Sequence, residues 1–200
     1  MVHQQEHIKP IGSEELTGVD QSLCRSALSV SNRLGRLMWG MVWLTLFRPT
    51  PKVLYGWRRM LLRLFGAKIG RGVHVHPSVR VFSPWTLEMG DHSCLAPFVD
   101  CYCVDRVRIG AHSTISQYSF LCTASHDYEQ AHLPLTTSPI DIGYSVWICA
   151  DVYVGPGVKV GDGAVVGVRS SVYKDVAAWT VVGGNPAKFI KPRIVRNNAS

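Results

Sequence analysis

The chain has 200 residues, 46% hydrophobic and 18% charged, a globular composition long enough to bury a core and too apolar to remain disordered. Its net charge of +7 suits an anionic partner: nucleic acid, a membrane surface or a phosphate-bearing small molecule. No helix-turn-helix, zinc finger or RNA-binding aromatic signature accompanies that charge, so nucleic acid is not expected.

The opening MVHQQEHIKP lacks a basic stretch followed by an apolar run, and a cytoplasmic address is expected. Residues 1–25 read as a flexible segment and 26–65 as a helical arm. In the arm, Leu34, Leu37, Met38 and Met41, then Leu54, Trp57, Leu61 and Leu64, recur at helical spacing, with Arg33, Arg36, Arg58, Arg59 and Arg63 off that face. Two amphipathic helices split by Pro49-Thr50-Pro51 are predicted. They either cap the domain that follows or touch a membrane surface through the arginines and Trp39, Trp43 and Trp57. The apolar run 37–47 is about half of the roughly 20 residues a bilayer span needs, so any membrane contact is peripheral.

From Ile69 an apolar residue recurs every six positions, a period neither an α-helix nor a flat alternating strand produces. The leading positions are Ile69, Val75, Val81; Met89, Leu95, Cys101; Ile109, Ile115, Leu121; Ile142, Ile148, Val154; and Val160, Val166, Val172. Glycine often follows (Gly70, Gly90, Gly110, Gly143, Gly161), read as a permissive residue at a bend. The fifth position is small or β-branched, as in Ser93, Ser113 and Val146, and Ser125 is read as one of these inward residues. Three short strands and three corners close one triangular coil, so residues 66–182 are predicted to form an all-β solenoid, a parallel β-helix of about five coils. Leu87-Glu88 and Val107-Arg108 are two-residue insertions, and 127–141 is a loop that leaves the prism. Residues 183–200 read as a basic tail.

His126 stands in Thr123-Ala-Ser-His-Asp127, at the end of the third coil and immediately before the long loop. A histidine held by a rigid coil and roofed by a loop is a candidate general base near neutral pH. The six cysteines are expected reduced, most of them small core fillers. Cys101-Tyr102-Cys103 has no second pair to make a zinc knuckle.

From Arg58 to Arg193 the chain resembles the hexapeptide-repeat acetyltransferases. The closer likeness is to colanic-acid-type exopolysaccharide O-acetyltransferases, through Leu64-Phe-Gly-Ala-Lys-Ile-Gly70, His76-Pro-Ser-Val79, Pro84-Trp85, Ser116-Gln-Tyr-Ser119, Leu121-Cys-Thr-Ala-Ser-His-Asp127 and Val146-Trp147. The ending Gly184-Asn-Pro-Ala-Lys188 is similar to that family's CoA-side terminus. The resemblance implies a left-handed winding, a homotrimer with active sites between subunits, acetyl-CoA as co-substrate and a sugar acceptor. It implies His126 as catalytic base, with Asp105 and Asp127 as candidate acceptor contacts. Trp147, Ala150, Gly167 and Val168 would lie along pantetheine, and Lys174, Lys188 and Lys191 near the phosphates. Val168 stands where the family commonly has alanine and Cys149 where it has glycine, and either would narrow the CoA groove.

Two other readings stay open. His92 and His112, twenty apart, stack in successive coils, and His132 follows by twenty more, which admits a zinc enzyme of the γ-carbonic-anhydrase type. A solenoid can also be a non-catalytic scaffold.

Overall fold

The computed structural model describes residues 18, 19, 22 and 28–196. Most of segment 1–25, Cys24 and residues 197–200 lie outside the described residues. An arm of two helices, α1 (Val30–Val42), prolonged by a π turn (Trp43–Phe47), and α2 (Tyr55–Leu64), precedes a parallel β-solenoid. Ser29 caps α1, its hydroxyl accepting from Asn32 N. Gly66 closes α2 at φ +88°, in the left-handed region, with Trp85 packed 3.1 Å from where a Cβ would stand.

Three sheets form the prism. Sheet A holds β1 (Lys68–Ile69), β4 (Leu87–Met89), β7 (Val107–Ile109), β12 (Ile140–Ile142) and β15 (Lys159–Val160). Sheet B holds β2 (His74–Val75), β5 (Cys94–Leu95), β8 (Thr114–Ile115), β13 (Trp147–Ile148), β16 (Val165–Val166) and β18 (Thr180–Gly183), then β19 (Lys188–Pro192), which folds back antiparallel on β18. Sheet C holds β3 (Arg80–Val81), β6 (Asp100–Tyr102), β9 (Phe120–Cys122), β14 (Tyr153–Val154) and β17 (Ser171–Val172). All fifteen leading positions read from the sequence are buried, with Cys103, Cys122 and the small fifth-position residues Ser93, Ser113 and Ala164 beside them.

The outward positions give each face its own chemistry. On sheet A, Lys68, Glu88, Arg108, Asp141 and Lys159 stand in register with alternating sign, Lys68 Nζ 2.7 Å from Glu88 Oε1. The Lys68 hydrogen bond holds the Glu88 carboxyl below its usual range. On sheet C an aromatic ladder runs Phe82, Tyr102, Phe120, Tyr153, Tyr173, with ring centroids 4.5 to 6.2 Å apart.

The solenoid has about six turns, not five. Val176 bridges to Val160, and β18 pairs with β16 through Val166 and Val182, each a step of sixteen residues. Two residues fewer at that corner put the last turn out of the six-residue register. The glycines also have a different cause from the one read in the sequence. Gly70, Gly90, Gly110, Gly143 and Gly161 are absent from the positive-φ residues; a Cβ on Gly90 or Gly161 would lie 2.5 Å from a backbone nitrogen of the next coil. Close stacking demands them. The left-handed corner residues are instead Gly72, His92, Phe98, His112, Tyr118, Ser145, Asp151, Gly157, Gly163, Arg169 and Trp179, with φ between 56° and 78°.

The arm closes the open end of the prism through hydrogen bonds. Between coils, N–H groups of one donate to carbonyls of the next, as from Gly70, His74, His76, Arg80 and Phe82 to Met89, Ser93, Leu95, Val99 and Cys101. The matching carbonyls of the first coil have no coil below. Five arm side chains serve them: Arg63 Nη2 donates to Ile69 O (2.7 Å), Arg59 Nη1 to Val73 O (2.8 Å), Arg58 Nε to Val75 O (2.7 Å), Trp43 Nε1 to Val79 O (2.8 Å) and Trp39 Nε1 to Val81 O (2.7 Å). This corrects the sequence reading of both helix faces. Arg58 is buried, whereas Leu34, Leu37, Met38 and Met41 of α1 are exposed, because orphaned edge carbonyls are costlier to leave unmet than those aliphatics are to expose. Among the described residues, no helix is long and apolar enough to cross a membrane.

Candidate active site

The corner between sheets C and A carries the longest departure from the prism. After buried Thr123 the chain enters a two-stranded hairpin, β10 (Ala124–His126) against β11 (Leu135–Thr137), whose base Ser138 N closes on Thr123 O at 2.9 Å. The excursion therefore begins at Ala124 rather than Asp127 and ends before Ile140, which is buried against Val107 in sheet A. Ser125 is exposed on the hairpin and fills no inward position, since the strand has already left the coil. His126 is likewise exposed, on a strand of the hairpin, with Nδ1 2.6 Å from Leu133 O. A carbonyl oxygen can only accept, so Nδ1 carries the proton and the neutral ring presents an unshared pair at Nε2.

Asp127 folds the turn that carries Leu133. Its Oδ1 accepts from Glu129 N (3.1 Å) and its Oδ2 from Gln130 Nε2 (2.6 Å), so both oxygens serve the loop. Asp105 sits one coil below at the same corner, its N–H donating to Thr123 Oγ1 at 2.9 Å, three residues before His126. Its Oδ1 accepts from Arg106 N. His92 and His112 stack 5.3 Å apart at 18° as corner residues, and His132 belongs to the hairpin loop. Among the described residues no three His, Cys, Asp or Glu gather as a metal-holding group.

The other predicted site residues fall elsewhere on the prism. Ala150 and Val168, with Tyr118, Asp151 and Arg169, line a shallow cleft of about 540 Å³ at the B–C corner. Val168 is 63% exposed and Trp147, on sheet B beside it, 50% exposed, with its Nε1 donating to Ser116 Oγ at 3.0 Å. Gly167 N donates to Val182 O, tying the cleft to β18. Lys188 and Lys191 stand exposed on β19, whereas Lys174 lies past β17 at the C–A corner. Tyr118, Asp151 and Arg169 escaped the sequence reading, although their recurrence in successive coils was available as a signal.

No protein-family model matches the chain. Over 157 residues, 78% of this chain and 86% of the relative, it is 49% identical to WcaF of Escherichia coli strain K12, which is named for colanic acid biosynthesis as an acetyltransferase. The chain belongs to the hexapeptide-repeat acetyltransferases. It is also 28% identical over 123 residues, 62% of this chain and 52% of the relative, to the galactoside O-acetyltransferase of Escherichia coli strain K12. Among solved structures, a maltose O-acetyltransferase from Clostridium difficile 630 superposes with a TM-score of 0.77 at 27% identity, covering 84% of this chain and 90% of that one. A hexapeptide-repeat acetyltransferase of Vibrio cholerae O1 biovar eltor, complexed with acetyl-CoA, superposes at 0.76 and 28% identity, covering 85% and 93%.

This acetyltransferase therefore uses acetyl-CoA as co-substrate, and the residues present suit that molecule. An apolar cleft wall at Ala150 and Val168 matches a pantetheine chain, and the exposed ammonium groups of Lys188 and Lys191 match phosphates. Cys149, next to Ala150 in sequence, is half-buried, and burial pushes its thiol pKa up.

Proposed function

We propose that this acetyltransferase acetylates a hydroxyl of a sugar, the acceptor being an exopolysaccharide precursor, with His126 as general base. The observation that carries the reading is the 2.6 Å bond from His126 Nδ1 to Leu133 O, which orients an exposed ring with Nε2 free to take a proton. Nε2 removes the acceptor hydroxyl proton as the oxygen attacks the thioester carbonyl carbon. The C–S bond then breaks, and the departing thiolate takes the proton back from Nε2. Asp105, under the hairpin base, is the candidate acceptor contact. Trp147, Ala150, Gly167 and Val168 line the pantetheine path and Lys188 and Lys191 face the phosphates, while Lys174, at the C–A corner, would reach them only from a neighbouring subunit. The colanic acid name of one relative and the galactoside and maltose names of others support a sugar.

A homotrimer completes the site in this proposal. His126 rises from the C–A corner while the cleft opens at the B–C corner, on the other side of sheet C, so one prism does not join base and thioester. A neighbouring subunit supplies the missing half. Reliance on acetyl-CoA fits a cytoplasmic reaction. The test is acetyl-CoA turnover screened over free, nucleotide-linked and lipid-linked sugars, with His126→Ala beside the parent protein. His126→Ala is expected to lower kcat about 100-fold or more with the KM for acetyl-CoA unchanged. Near-normal turnover by the variant would overturn the assignment.

A further inference from the structure

The arm that caps the solenoid leaves a continuous apolar surface on its other side. Asn32, Gly35, Arg36, Trp39 and Trp43 turn toward the prism, Gly35 close against the Trp85 ring. The opposite stripe of α1 and its π turn, Leu34, Leu37, Met38, Met41 and Leu44, follows the i, i+3, i+4, i+7 pattern and is 47–62% exposed throughout. A second stripe on α2 and its approach, Val53, Trp57, Met60 and Leu64, is 39–79% exposed. The two meet where Trp57 Nε1 donates to Leu46 O at 2.8 Å.

The charge around these stripes is one-sided. Between Asp20 and Glu88 the sequence has no acidic residue and eleven Lys or Arg, more than the whole-chain net of +7. Arg58, Arg59 and Arg63 are committed to edge carbonyls, but Arg33, Arg48 and Lys52 are exposed. On the prism side of α1, against sheet C, opens a cleft of about 850 Å³ lined by Arg36, Arg48 and Arg80 over an aromatic floor, with Asp100 the one carboxyl. Arg80 stands opposite Asp100 in sheet C and acts on its carboxyl, whereas Arg36 lies over the Phe82 ring and Arg48 over the Trp43 ring, with no salt bridge to a carboxylate among the described residues.

We propose that the outer face of the arm docks the enzyme on an anionic lipid bilayer, the aliphatic stripes entering the acyl boundary and the flanking cations meeting lipid phosphates. An exposed apolar stripe bordered by Arg33, Arg48 and Lys52, on an arm whose described residues 28–65 include no carboxylate, complements an anionic interface. A second copy of the chain fits less well, because a symmetric contact would bring the two acid-free arms together and set like charges face to face.

The test is flotation of the full-length protein with vesicles of phosphatidylcholine alone or mixed equally with phosphatidylglycerol. Binding is expected on the mixed vesicles only, and should weaken at high salt. The variant carrying Leu37→Glu and Met41→Glu should lose at least about tenfold in binding while keeping its oligomeric state and its acetyl-CoA turnover. Arg33→Gln with Lys52→Gln, which leaves the stripe intact, should weaken it less. The proposal is overturned if the parent protein does not float, if it floats equally on neutral vesicles, or if the double glutamate variant floats as the parent does. A parent that ignores vesicles but changes oligomeric state on glutamate substitution would assign the face to a second copy instead.

Discussion

His126 is held by a main-chain carbonyl rather than a carboxylate: its Nδ1 donates to Leu133 O at 2.6 Å, seven residues on in the same hairpin. A neutral partner fixes the tautomer and ring plane without adding a negative charge beside the base. Ring orientation then depends on the turn between the hairpin strands, which Asp127 shapes.

Asp127→Ala should therefore act through that turn. With the bonds to Glu129 N and Gln130 Nε2 gone, kcat is expected to fall about tenfold through misplacement of the imidazole, with the KM for acetyl-CoA unchanged. Asp127→Asn, which keeps an acceptor for Glu129 N, should recover part of the loss. A rise confined to the KM for the acceptor sugar would make Asp127 a substrate contact instead.

Lys188 stands exposed at the start of β19. Lys188→Ala should raise the KM for acetyl-CoA by about tenfold with a smaller effect on kcat, because a phosphate contact is made equally before and during the transition state. The difference from the parent should shrink as salt is added. Steady-state kinetics at two ionic strengths checks both statements.

Arg58 is 0% exposed and faces no carboxylate; its guanidinium donates to Val75 O, Thr50 Oγ1, Pro51 O and Lys52 O, and lies 4.9 Å from the Tyr55 ring centroid. Arg58→Met keeps much of the volume but strands those acceptors, and should cost about 3 kcal/mol of stability. Thermal or urea unfolding measures it. An equal loss in Arg59→Met, whose side chain serves Val73 O, would show that burial is not what sets the magnitude.

His76 makes stability sensitive to acid. Burial, then the charges of Lys52, Arg58 and His74, holds its pKa below the ordinary 6.5. The unfolded chain takes up the proton more readily than the native one, so this contribution is complete above 6.5 and declines as pH falls through that value toward the lower native one. His76→Gln should flatten the melting temperature between about pH 7 and pH 5 relative to the parent.

The solenoid was legible because each coil repeats one local requirement, an inward aliphatic at every sixth residue, and fifteen such positions are visible without knowing what they touch. His126 stood out because the repeat breaks near it, although the chain leaves the coil at Ala124, two residues before the imidazole. The sequence by itself determined the repeat and the neighbourhood of its interruption, since both depend on order along the chain. The tertiary structure alone decided matters that depend on distant partners. Arg58, Arg59 and Arg63 look like a solvated face until Val75, Val73 and Ile69 present carbonyls with no coil beneath them. Gly90 reads as a bend residue until the backbone of Ala111 is found to fill the space of its Cβ. Leu133 carries no chemical signal in its side chain; its carbonyl matters only because hairpin pairing of His126 with Leu135 brings it to the imidazole. Main-chain groups are the same at every residue, so which of them meets a partner is decided by three-dimensional packing and not by residue type.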